Sequence, residues 1–542
     1  MTQKGCRFMK NRVLARAAAA CLAGLMAVGT ACALPQTSPV RTSLCASAAE
    51  GQPYTEVTAG ALTCHKYNDY ALIAACDPEV ETVEIPAEIG GVPVREIGAD
   101  AFRGCAVSKV TIPDSVISIG ARAFFGCPDL TEAEIPESVF LLDAQAFADC
   151  ASLEKVTLSE GLKTIGTEAF AGTALQEVAI PASVTHFGQG IFDGTPWWEA
   201  LVAEDPLVIF NNIVLDGRSC EGDVVIPDGV TEIGTYAFEC SGITSVVIPD
   251  SVETIGMDAF SYCESLTAAT IPDHIVELPI GMFCGCISLT SVKLPADVLN
   301  LRSSVFSGCT SLEEVVFPDH QVDVYSSVFS GTPWLEAKRA EDPLVIVNGT
   351  LIDGRTCKGD VVIPDDVTII ASRAFYSDPD ITSVVVPVGV ENIWDSTFES
   401  CGKLKSVELR GVSYIARNAF NECTSLKKLM LSGNLETVSE DAFHGITGRI
   451  PLTYGGTKEQ WGKVSVASGN SLLRLAIVTY GETGDVDGDA KLGVTDVVAL
   501  QKWLLAVPDA RIIAWNNADL NADGVLDTFD LALMKRELLA KE

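Results

Sequence analysis

Apolar and polar positions alternate in one pattern that returns along most of the chain. In one copy, Val246 and Ile248 alternate with outward positions, which predicts a short strand with one buried face. Pro249 is expected to end that strand, because proline cannot donate a hydrogen bond to a neighbouring strand. Gly256 is expected at a tight bend where a side chain would clash, and Phe260 is expected to face the core.

The pattern has a nearly fixed period. Successive copies of the inward phenylalanine follow one another at an almost constant spacing, except at two long steps of twice that length, Phe192 to Phe238 and Phe329 to Phe375. A period in this range predicts a solenoid, whose units cannot close a core alone and must stack on their neighbours. The ladder consists of Phe102, Phe124, Phe147, Phe170, Phe192, Phe238, Phe260, Phe283, Phe306, Phe329, Phe375, Phe398, Phe420 and Phe443.

The repeating unit resembles the BspA-like leucine-rich repeat. Its consensus is Ile-Gly-x-x-Ala-Phe-x-x-Cys-x-x-Leu-x-x-Val-x-Ile-Pro-x-Ser-Val, and the resemblance covers about Ile85 to Phe443. It implies a mainly β fold, a curved leucine-rich-repeat solenoid with a parallel β ladder. We assign the repeats to residues 98–448, with an N-terminal cap at 54–97 and a C-terminal cap at 449–482, because solenoid ends must be shielded.

The two long steps are near copies of each other. The motif Gly-Thr-Pro-Trp occurs in both steps, ending at Trp197 in the first and at Trp334 in the second. One interpretation is an enlarged double coil in which both tryptophans pack in the core, since tryptophan is highly buried on average. The other is a pair of ligand-binding projections at equivalent places.

Eight cysteines share one repeat position, the third after the ladder phenylalanine. Other copies hold threonine, serine or aspartate there, so the position requires a small side chain, and we predict reduced, buried thiols. Cys64 and Cys76 in the N-terminal cap are the candidates for a disulfide. The eight are Cys105, Cys127, Cys150, Cys263, Cys286, Cys309, Cys401 and Cys423.

The N-terminal segment, residues 1–33, predicts a secretory signal peptide. Lysines and arginines precede an apolar run from Ala17 to Ala33, which ends on Ala31-Cys32-Ala33. Acylation of Cys32 is the less favoured alternative, because the preceding residues fit a lipoprotein signal poorly.

Residues 34–53 are rich in serine, threonine, proline and alanine and are expected to be a linker. No later apolar stretch is long enough to span a membrane.

The formal net charge of −35 narrows the choice of partners. Nucleic acids and anionic membrane surfaces are bound by clustered lysines and arginines, so neither is expected as a partner. Together with the signal peptide, this composition favours a secreted, extracellular protein.

Two acidic segments near the C-terminus, 485–496 and 519–530, carry the most specific chemistry. We call them loop 1 and loop 2. Each offers side-chain oxygens at positions 1, 3, 5 and 12 and a backbone carbonyl at position 7, as calcium requires. A helix is expected after each, from Val497 to Ala506 and from Leu531 to Ala540. Each loop and its helix form one half of this region. When the two halves are aligned with each other, Leu500 corresponds to Met534.

This tandem is similar to the type I dockerin, which implies two calcium ions and a cohesin module of a cellulosomal scaffold as partner. We assign the domain to residues 483–542. By motif position, the implied calcium ligands are Asp485, Asp487, Asp489, Lys491 (through its carbonyl) and Asp496 in loop 1, with Asp519, Asn521, Asp523, Val525 (through its carbonyl), Asp527 and Asp530 in loop 2. Implied partner contacts are Val494, Thr495, Gln501 and Lys502, or Thr528, Phe529, Lys535 and Arg536.

Loop 1 departs from the usual pattern. Ala490 stands where such a loop has glycine, and Gly493 offers no side-chain oxygen at position 9. Site 1 is therefore expected to be the weaker calcium site.

Little room is left for a catalytic domain between the repeats, the caps and the dockerin. We therefore predict a non-catalytic binding or adhesion protein, attached through its dockerin. The alternative is a dockerin-borne enzyme or accessory acting on polysaccharide, as glycoside hydrolases do. That alternative predicts a pocket with convergent carboxylates near Trp197 or Trp334.

Outward strand positions form no aromatic row, which favours a protein ligand over a glycan for the repeats.

Overall fold

The computed structural model describes residues 53–481, 484–487, 491–508, 510, 512, 515–518, 520 and 526–540. The predicted signal peptide and all but the last residue of the predicted linker lie outside these ranges. Within them, no helix is both long and apolar enough to cross a membrane.

Most repeat coils contribute two short strands, and each of these pairs in parallel with a strand of at least one neighbouring coil. The first series is β4 (Thr82–Glu84), β7 (Lys109–Thr111), β9 (Glu132–Glu134), β11 (Lys155–Thr157), β16 (Glu221–Val225), β18 (Gly242–Val247), β20 (Ala268–Thr270), β22 (Ser291–Lys293), β24 (Glu314–Val316), β28 (Gly359–Val362), β30 (Ile381–Val386), β32 (Ser406–Leu409), β34 (Lys428–Leu431), β36 (Pro451–Tyr454) and β38 (Ile477–Tyr480). The second series is β8 (Ser118–Ile119), β10 (Leu141–Leu142), β12 (Thr164–Ile165), β13 (His186–Phe187), β17 (Glu232–Ile233), β19 (Thr254–Ile255), β21 (Glu277–Leu278), β23 (Asn300–Leu301), β25 (Asp323–Val324), β29 (Ile369–Ile370), β31 (Asn392–Ile393), β33 (Tyr414–Ile415), β35 (Thr437–Val438) and β37 (Ser465–Val466).

The other elements belong to the caps, to the two long steps and to the C-terminal region. The strands are β1 (Thr55–Ala59), β2 (Leu62–Lys66), β3 (Ala71–Cys76), β5 (Glu88–Ile89), β6 (Val92–Ile97), β14 (Val208–Phe210), β15 (Ile213–Asp216), β26 (Val345–Val347) and β27 (Thr350–Asp353). The helices are α1 (Pro196–Glu204), α2 (Pro333–Glu341), α3 (Lys458–Trp461), α4 (Ser471–Leu475), α5 (Val494–Leu504), α6 (Trp515–Ala518) and α7 (Thr528–Ala540).

The strand pattern of the sequence is confirmed as a parallel β-solenoid. Val246 of β18 pairs with Ala269 of β20, one repeat further along, so equivalent residues stack in register. Val246 and Ile248 are buried while Val247 is exposed, as period-two alternation requires. The bend glycine is also explained, because a Cβ on Gly256 would lie 2.4 Å from the backbone nitrogen of Thr235 in the preceding coil.

The ladder phenylalanines form three stacks in the core. Rings in neighbouring coils are stacked with centroids 4.7–5.8 Å apart, and every ring is fully or almost fully buried. The stacks run from Phe102 to Phe192, from Phe238 to Phe329 and from Phe375 to Phe443. Each break coincides with one of the long steps.

The repeated cysteine position has a polar role that the sequence did not reveal. The thiol of Cys286 donates to the carbonyl of Phe260 in the preceding coil at 3.1 Å, and most other ladder cysteines make the same contact. Burial raises the pKa of Cys309 to about 12, which keeps that thiol protonated as a donor. Thr332 at the same position donates to the carbonyl of Phe329. Most residues at this position are therefore small hydrogen-bond donors, whereas Asp378 there accepts from the backbone N–H groups of Asp380 and Ile381.

The described cysteines form no disulfide with one another. The suggested bridge between Cys64 and Cys76 is not formed. These residues lie on paired strands β2 and β3, but Cys64 faces Ile73 and Cys76 faces Leu62 across the pair.

Each long step folds as a helix followed by an antiparallel hairpin. We call residues 196–216 module 1 and residues 333–353 module 2. Module 1 joins α1 to the hairpin β14–β15, and module 2 joins α2 to β26–β27. Pro196 and Pro333 occupy the first helical turn, and the hydroxyls of Thr195 and Thr332 cap the helices.

The interpretation of the long steps as enlarged coils with a tryptophan core is right for module 2 and incomplete for module 1. Trp334 is buried at 5% exposure, whereas Trp197 is only half-buried and its neighbour Trp198, at 8% exposure, takes the inner position. The difference arises because module 1 has two adjacent tryptophans and module 2 has Trp334 followed by Leu335.

The solenoid ends are closed by different elements. At the N-terminal end, β1, β2 and β3 form an antiparallel meander whose last strand pairs in parallel with β6. At the C-terminal end, the predicted cap contains the short helix α3 and the edge strand β38, which pairs with β36. Helix α4, which buries Leu472 and Leu473, was not expected from the sequence.

Candidate metal centre

Loop 1 brings three carboxylates together. Oxygens of Asp485, Asp487 and Asp496 lie within 4.8 Å of one another, and Asp485 and Asp496 are fully buried. Carboxylates this close repel one another unless a cation neutralises them. Their oxygen-only chemistry fits calcium, which takes oxygen ligands from such loops. Asp489 lies outside the described residues, and Lys491 is exposed.

Helix α5 explains why Asp496 points into the loop. The helix begins at Val494 rather than at the expected Val497, so that Asp496 lies in its first turn. One carboxylate oxygen accepts hydrogen bonds from the backbone N–H groups of Val486 and Asp487 at 2.6 and 2.9 Å. The other accepts from Gly493 at 2.7 Å. Burial raises the pKa of Asp496, against these donors, and a bound cation would oppose that rise.

Loop 2 repeats this arrangement where it is described. Helix α7 begins at Thr528, again one turn earlier than expected, and buries Asp530 in its first turn. Asp530 accepts from the backbone N–H groups of Leu520 at 2.8 Å and Asp527 at 3.0 Å. These donors are the counterparts of Val486 and Gly493 in the register that superposes the two halves. Asp519, Asn521, Asp523 and Val525 lie outside the described residues.

Asp527 holds a local turn in the described structure. Its side chain accepts a hydrogen bond from the backbone N–H of Phe529 at 2.6 Å. This contact resembles an Asx turn and fixes the start of α7. The remaining carboxylate oxygen leaves Asp527 able to serve a cation, directly or through water.

A small core holds the two halves together. Leu500 of α5 and Met534 of α7 are fully buried, as their equivalence in the two halves indicated. Val486 and Leu526, which lie within loop 1 and loop 2, are buried in the same cluster. The loops and the helices are therefore parts of one packing unit, so disorder in the loops would loosen the core.

The eight residues named as partner contacts lie at the surface of the two helices. Val494, at 67% exposure, and Phe529, at 57%, are the large apolar side chains among them. The eight are Val494, Thr495, Gln501, Lys502, Thr528, Phe529, Lys535 and Arg536.

Sequence reasoning omitted two further apolar side chains at the helix ends, Leu505 and Leu539, which are 68% and 70% exposed. They are counterparts in the two halves, so the signal that could have revealed them was present in the sequence.

The region also touches the C-terminal cap of the solenoid. The side-chain amide of Asn517 donates to the carbonyl of Gly455, and the N–H of Gly484 donates to the carbonyl of Asn517 at 2.7 Å. A Cβ on Gly481 would lie 2.5 Å from the carbonyl oxygen of Gly455. Glycine at this junction therefore permits close approach of two backbones.

The surroundings of the two modules bear on the catalytic alternative. A cavity lies beside each helix, but in neither do the described lining residues bring two carboxylates together. Asp353 lines the cavity beside α2, where Arg339 and Arg355 hold it at 2.9 and 2.6 Å. Paired carboxylates facing a cleft, as glycoside hydrolysis requires, are not found among these lining residues.

Comparison with known proteins assigns both parts of the chain. Residues 74–196, 219–336 and 356–454 match the BspA type leucine rich repeat region, and residues 483–539 match the dockerin type I domain. The gaps between the repeat segments fall on modules 1 and 2. Neither match is to a catalytic domain. No curated protein matches the sequence.

Several solved structures are similar to this chain. A leucine-rich repeat protein from Bacteroides ovatus is 21% identical over 77% of this chain and 98% of that chain, with a TM-score of 0.25. A leucine rich cell surface protein from Faecalibacterium prausnitzii is 21% identical over 78% and 100%, with a TM-score of 0.27. The pneumococcal vaccine antigen PcpA is 15% identical over 79% and 99%, with a TM-score of 0.29.

The repeat segments cover well over half of the 542 residues, and they share the register of the phenylalanine ladder. The chain therefore belongs to the BspA type leucine-rich repeat family and carries a type I dockerin domain.

Proposed function

We propose that this protein is secreted and that its dockerin attaches it, in a calcium-dependent manner, to a cohesin module of a cellulosomal scaffold. The repeat domain then acts as a non-catalytic binding or adhesion module for a protein or glycan. The observation that carries the proposal is the cluster of Asp485, Asp487 and Asp496 in a chain that joins repeats to a dockerin. Such a cluster supports structure only when a cation neutralises it.

Two calcium ions complete the proposed site. Loop 1 would use Asp485, Asp487, Asp489, Asp496 and the Lys491 carbonyl. Loop 2 would use Asp519, Asn521, Asp523, Asp527, Asp530 and the Val525 carbonyl. Loop 2 offers one more side-chain ligand, at Asp527, so it should bind its ion more tightly.

Capture of the full mature chain on an immobilised type I cohesin tests the attachment. We expect capture in calcium and loss in excess chelator, with Asp519→Ala weakening it more than Asp485→Ala does. Asp319→Ala, an exposed change on the solenoid, serves as the control and should leave capture unchanged. Capture that survives excess chelator would contradict the proposal.

The two helices offer two candidate faces for the cohesin. Lys502 lies on α5 and its counterpart Arg536 on α7, and both are exposed. If either face can dock, Lys502→Ala and Arg536→Ala should each retain most capture, and the double variant should lose it. Loss in one single variant alone would assign docking to that face.

Secretion is proposed from the basic and apolar segments at residues 1–33. N-terminal sequencing of protein recovered from culture medium should begin just after Ala33. Protein found only inside cells with residues 1–33 intact would contradict this part of the proposal.

A further inference from the structure

The two modules hold cavities at equivalent places, but the cavities differ in size. The cavity beside α1 measures about 30 Å³ and the one beside α2 about 180 Å³. The helix residue that lines each is Trp198 in the first and Leu335 in the second, and these residues correspond when Trp197 is aligned with Trp334. The indole of Trp198 also donates to Asp216 at 3.3 Å. The smaller leucine leaves the corresponding space open in module 2.

The charge of the two sites is also different. In module 1, Arg218 donates to two carboxylates, Asp193 at 2.8 Å and Asp216 at 2.7 Å. In module 2, Asp353 accepts from two arginines, Arg339 and Arg355, and Arg339 also donates to Glu336 at 2.7 Å. The causes are two replacements: Asp193 corresponds to Ser330, and Val202 corresponds to Arg339. Module 1 thus has one arginine with two aspartates, whereas module 2 has two arginines with one aspartate and Glu336.

Arg373 lines the second cavity together with Arg355. Arg373 stands where module 1 has Tyr236, and it forms no ion pair with any described carboxylate. Its guanidinium lies 3.9 Å from the centre of the Tyr376 ring, so the stacked group keeps its N–H edge for other partners. The Arg355 guanidinium donates to the Asp353 carboxylate through Nε, and the backbone N–H of Arg355 donates to the same carboxylate at 3.1 Å. Such an excess of arginine is unexpected in a chain of net charge −35.

The other lining groups define what such a cavity accepts. Tyr325, Tyr376 and the hydroxyl-bearing Ser327, Ser330 and Ser372 line it, and an arginine covers one face of each tyrosine ring, Arg302 over Tyr325 and Arg373 over Tyr376. Arginine forks suit planar carboxylates, tyrosine rings suit the faces of a sugar ring, and serines suit hydroxyls. A volume of about 180 Å³ is smaller than the roughly 300–1,000 Å³ of drug-sized sites, so it accepts a single ring.

We propose that the cavity beside α2, between Arg355, Arg373, Tyr325 and Tyr376, binds a hydroxylated ring that bears a carboxylate, the chemistry of a uronic acid unit. Module 1 is the closed, acidic counterpart and does not bind it. The inference deepens the proposed role of the repeat domain by naming a ligand class. It rests on no dockerin residue, so failure of cohesin capture would leave it intact.

Calorimetric titration of the full mature chain with glucuronate tests the proposal, with glucose and inorganic phosphate as comparison ligands. We expect glucuronate to bind in a 1:1 ratio and glucose to bind at least tenfold more weakly. Phosphate should also bind at least tenfold more weakly, because it lacks the ring. Absence of glucuronate binding, or equal binding of glucose or phosphate, would overturn the assignment.

Variants that restore module 1 residues localise the site. Arg373→Tyr and Leu335→Trp should each weaken glucuronate binding at least tenfold, the first by removing a cation and the second by filling the cavity. Tyr236→Phe, at the module 1 position, is the matched control and should have no effect. Arg373 is exposed, so this change should leave the thermal transition in place. Unchanged binding in Arg373→Tyr, or an equal loss in Tyr236→Phe, would refute the location.

Discussion

A single repeat position shows how one residue serves both packing and hydrogen bonding. The ladder cysteines fill a small space and donate a thiol hydrogen to a phenylalanine carbonyl in the preceding coil. A buried carbonyl without a donor costs free energy, so the cysteine thiol stabilises the contact between coils, while threonine at this position donates to the phenylalanine carbonyl of its own coil. The consensus cysteine thus links neighbouring coils without forming a covalent bond.

Removing a ladder ring should be costly. Phe260→Ala deletes a fully buried side chain that stacks on Phe238 and Phe283, so we expect the free energy of unfolding to fall by about 3–5 kcal/mol. The loss should be concentrated in the adjoining coils, because solenoid units couple to their neighbours. Chemical denaturation and limited proteolysis measure it. Unchanged stability would contradict the stacked arrangement.

A buried glutamate makes stability depend on pH. Burial, with a smaller contribution from the charge of Asp143, raises the pKa of Glu96 from 4.5 to about 7. Glu96 is therefore protonated in the folded state and ionised in the unfolded state between these values. Its contribution to stability should be greatest below about pH 4.5 and fall, by up to roughly 3 kcal/mol, as the pH rises to about 7.

Glu96→Gln should remove this fall in stability with pH. Denaturation of both proteins between about pH 4.5 and 7.5 gives the comparison, and Glu84→Gln, an exposed change on β4, is the control. If the stability of Glu96→Gln still falls with rising pH, other titratable groups cause the effect.

At the scale of elements, the modules divide the core. The ring of Trp334 in module 2 lies 4.5 Å from that of Phe329 and ends the second stack, while Gly354 lies against Phe375 and begins the third. Module 1 does the same with its tryptophans and Gly217. A helix and a hairpin can therefore be inserted without exposing the open faces of the stacks.

The glycine at the start of a stack should not tolerate a side chain. A Cβ on Gly354 would lie 2.3 Å from the Phe375 ring, so Gly354→Ala should lower stability by about 1–3 kcal/mol through overpacking. Gly402→Ala is the matched control, because a Cβ there meets no atom within 4 Å. Thermal unfolding of both variants provides the measurement. Equal unfolding temperatures in the two variants would show that the Phe375 ring can move aside without a loss of stability.

At the scale of the whole molecule, the solenoid and the dockerin are stabilised by different physical means. The solenoid core consists of apolar side chains stacked coil on coil, whereas the dockerin core is small and adjoins loops of converging carboxylates. The hydrogen bonds between Asn517, Gly455 and Gly484 join the two regions. Calcium should therefore govern the stability of one region and affect the other little.

Calorimetry of the full mature chain, with and without calcium, tests this separation. The transition of the dockerin should shift to lower temperature or vanish in chelator, because its carboxylates then repel one another. The transition of the solenoid should remain in place. If both shift together, the junction at Gly455 couples them more strongly than these hydrogen bonds imply.

The sequence alone determined the repeat, the inward phenylalanine, the strand alternation and the two acidic loops. These features depend on periodicity and on local spacing, because a residue such as Val246 has equivalent neighbours in every coil. The convergence of Asp485, Asp487 and Asp496 was likewise implicit in the spacing of acidic residues within loop 1. The start of helix α5 at Val494 was missed, because the loop and the first helical turn share residues.

Only the tertiary structure decided the features that involve partners from different coils or from different segments. The thiol contact of Cys286 requires a carbonyl from the preceding coil, and the junction of Asn517 with Gly455 joins residues far apart in the sequence. The contrast between the two cavities depends on folding most of all. Leu335 and Arg373 are ordinary residues in the sequence, and only folding brings them to one cavity, where a smaller side chain leaves space and an arginine supplies positive charge.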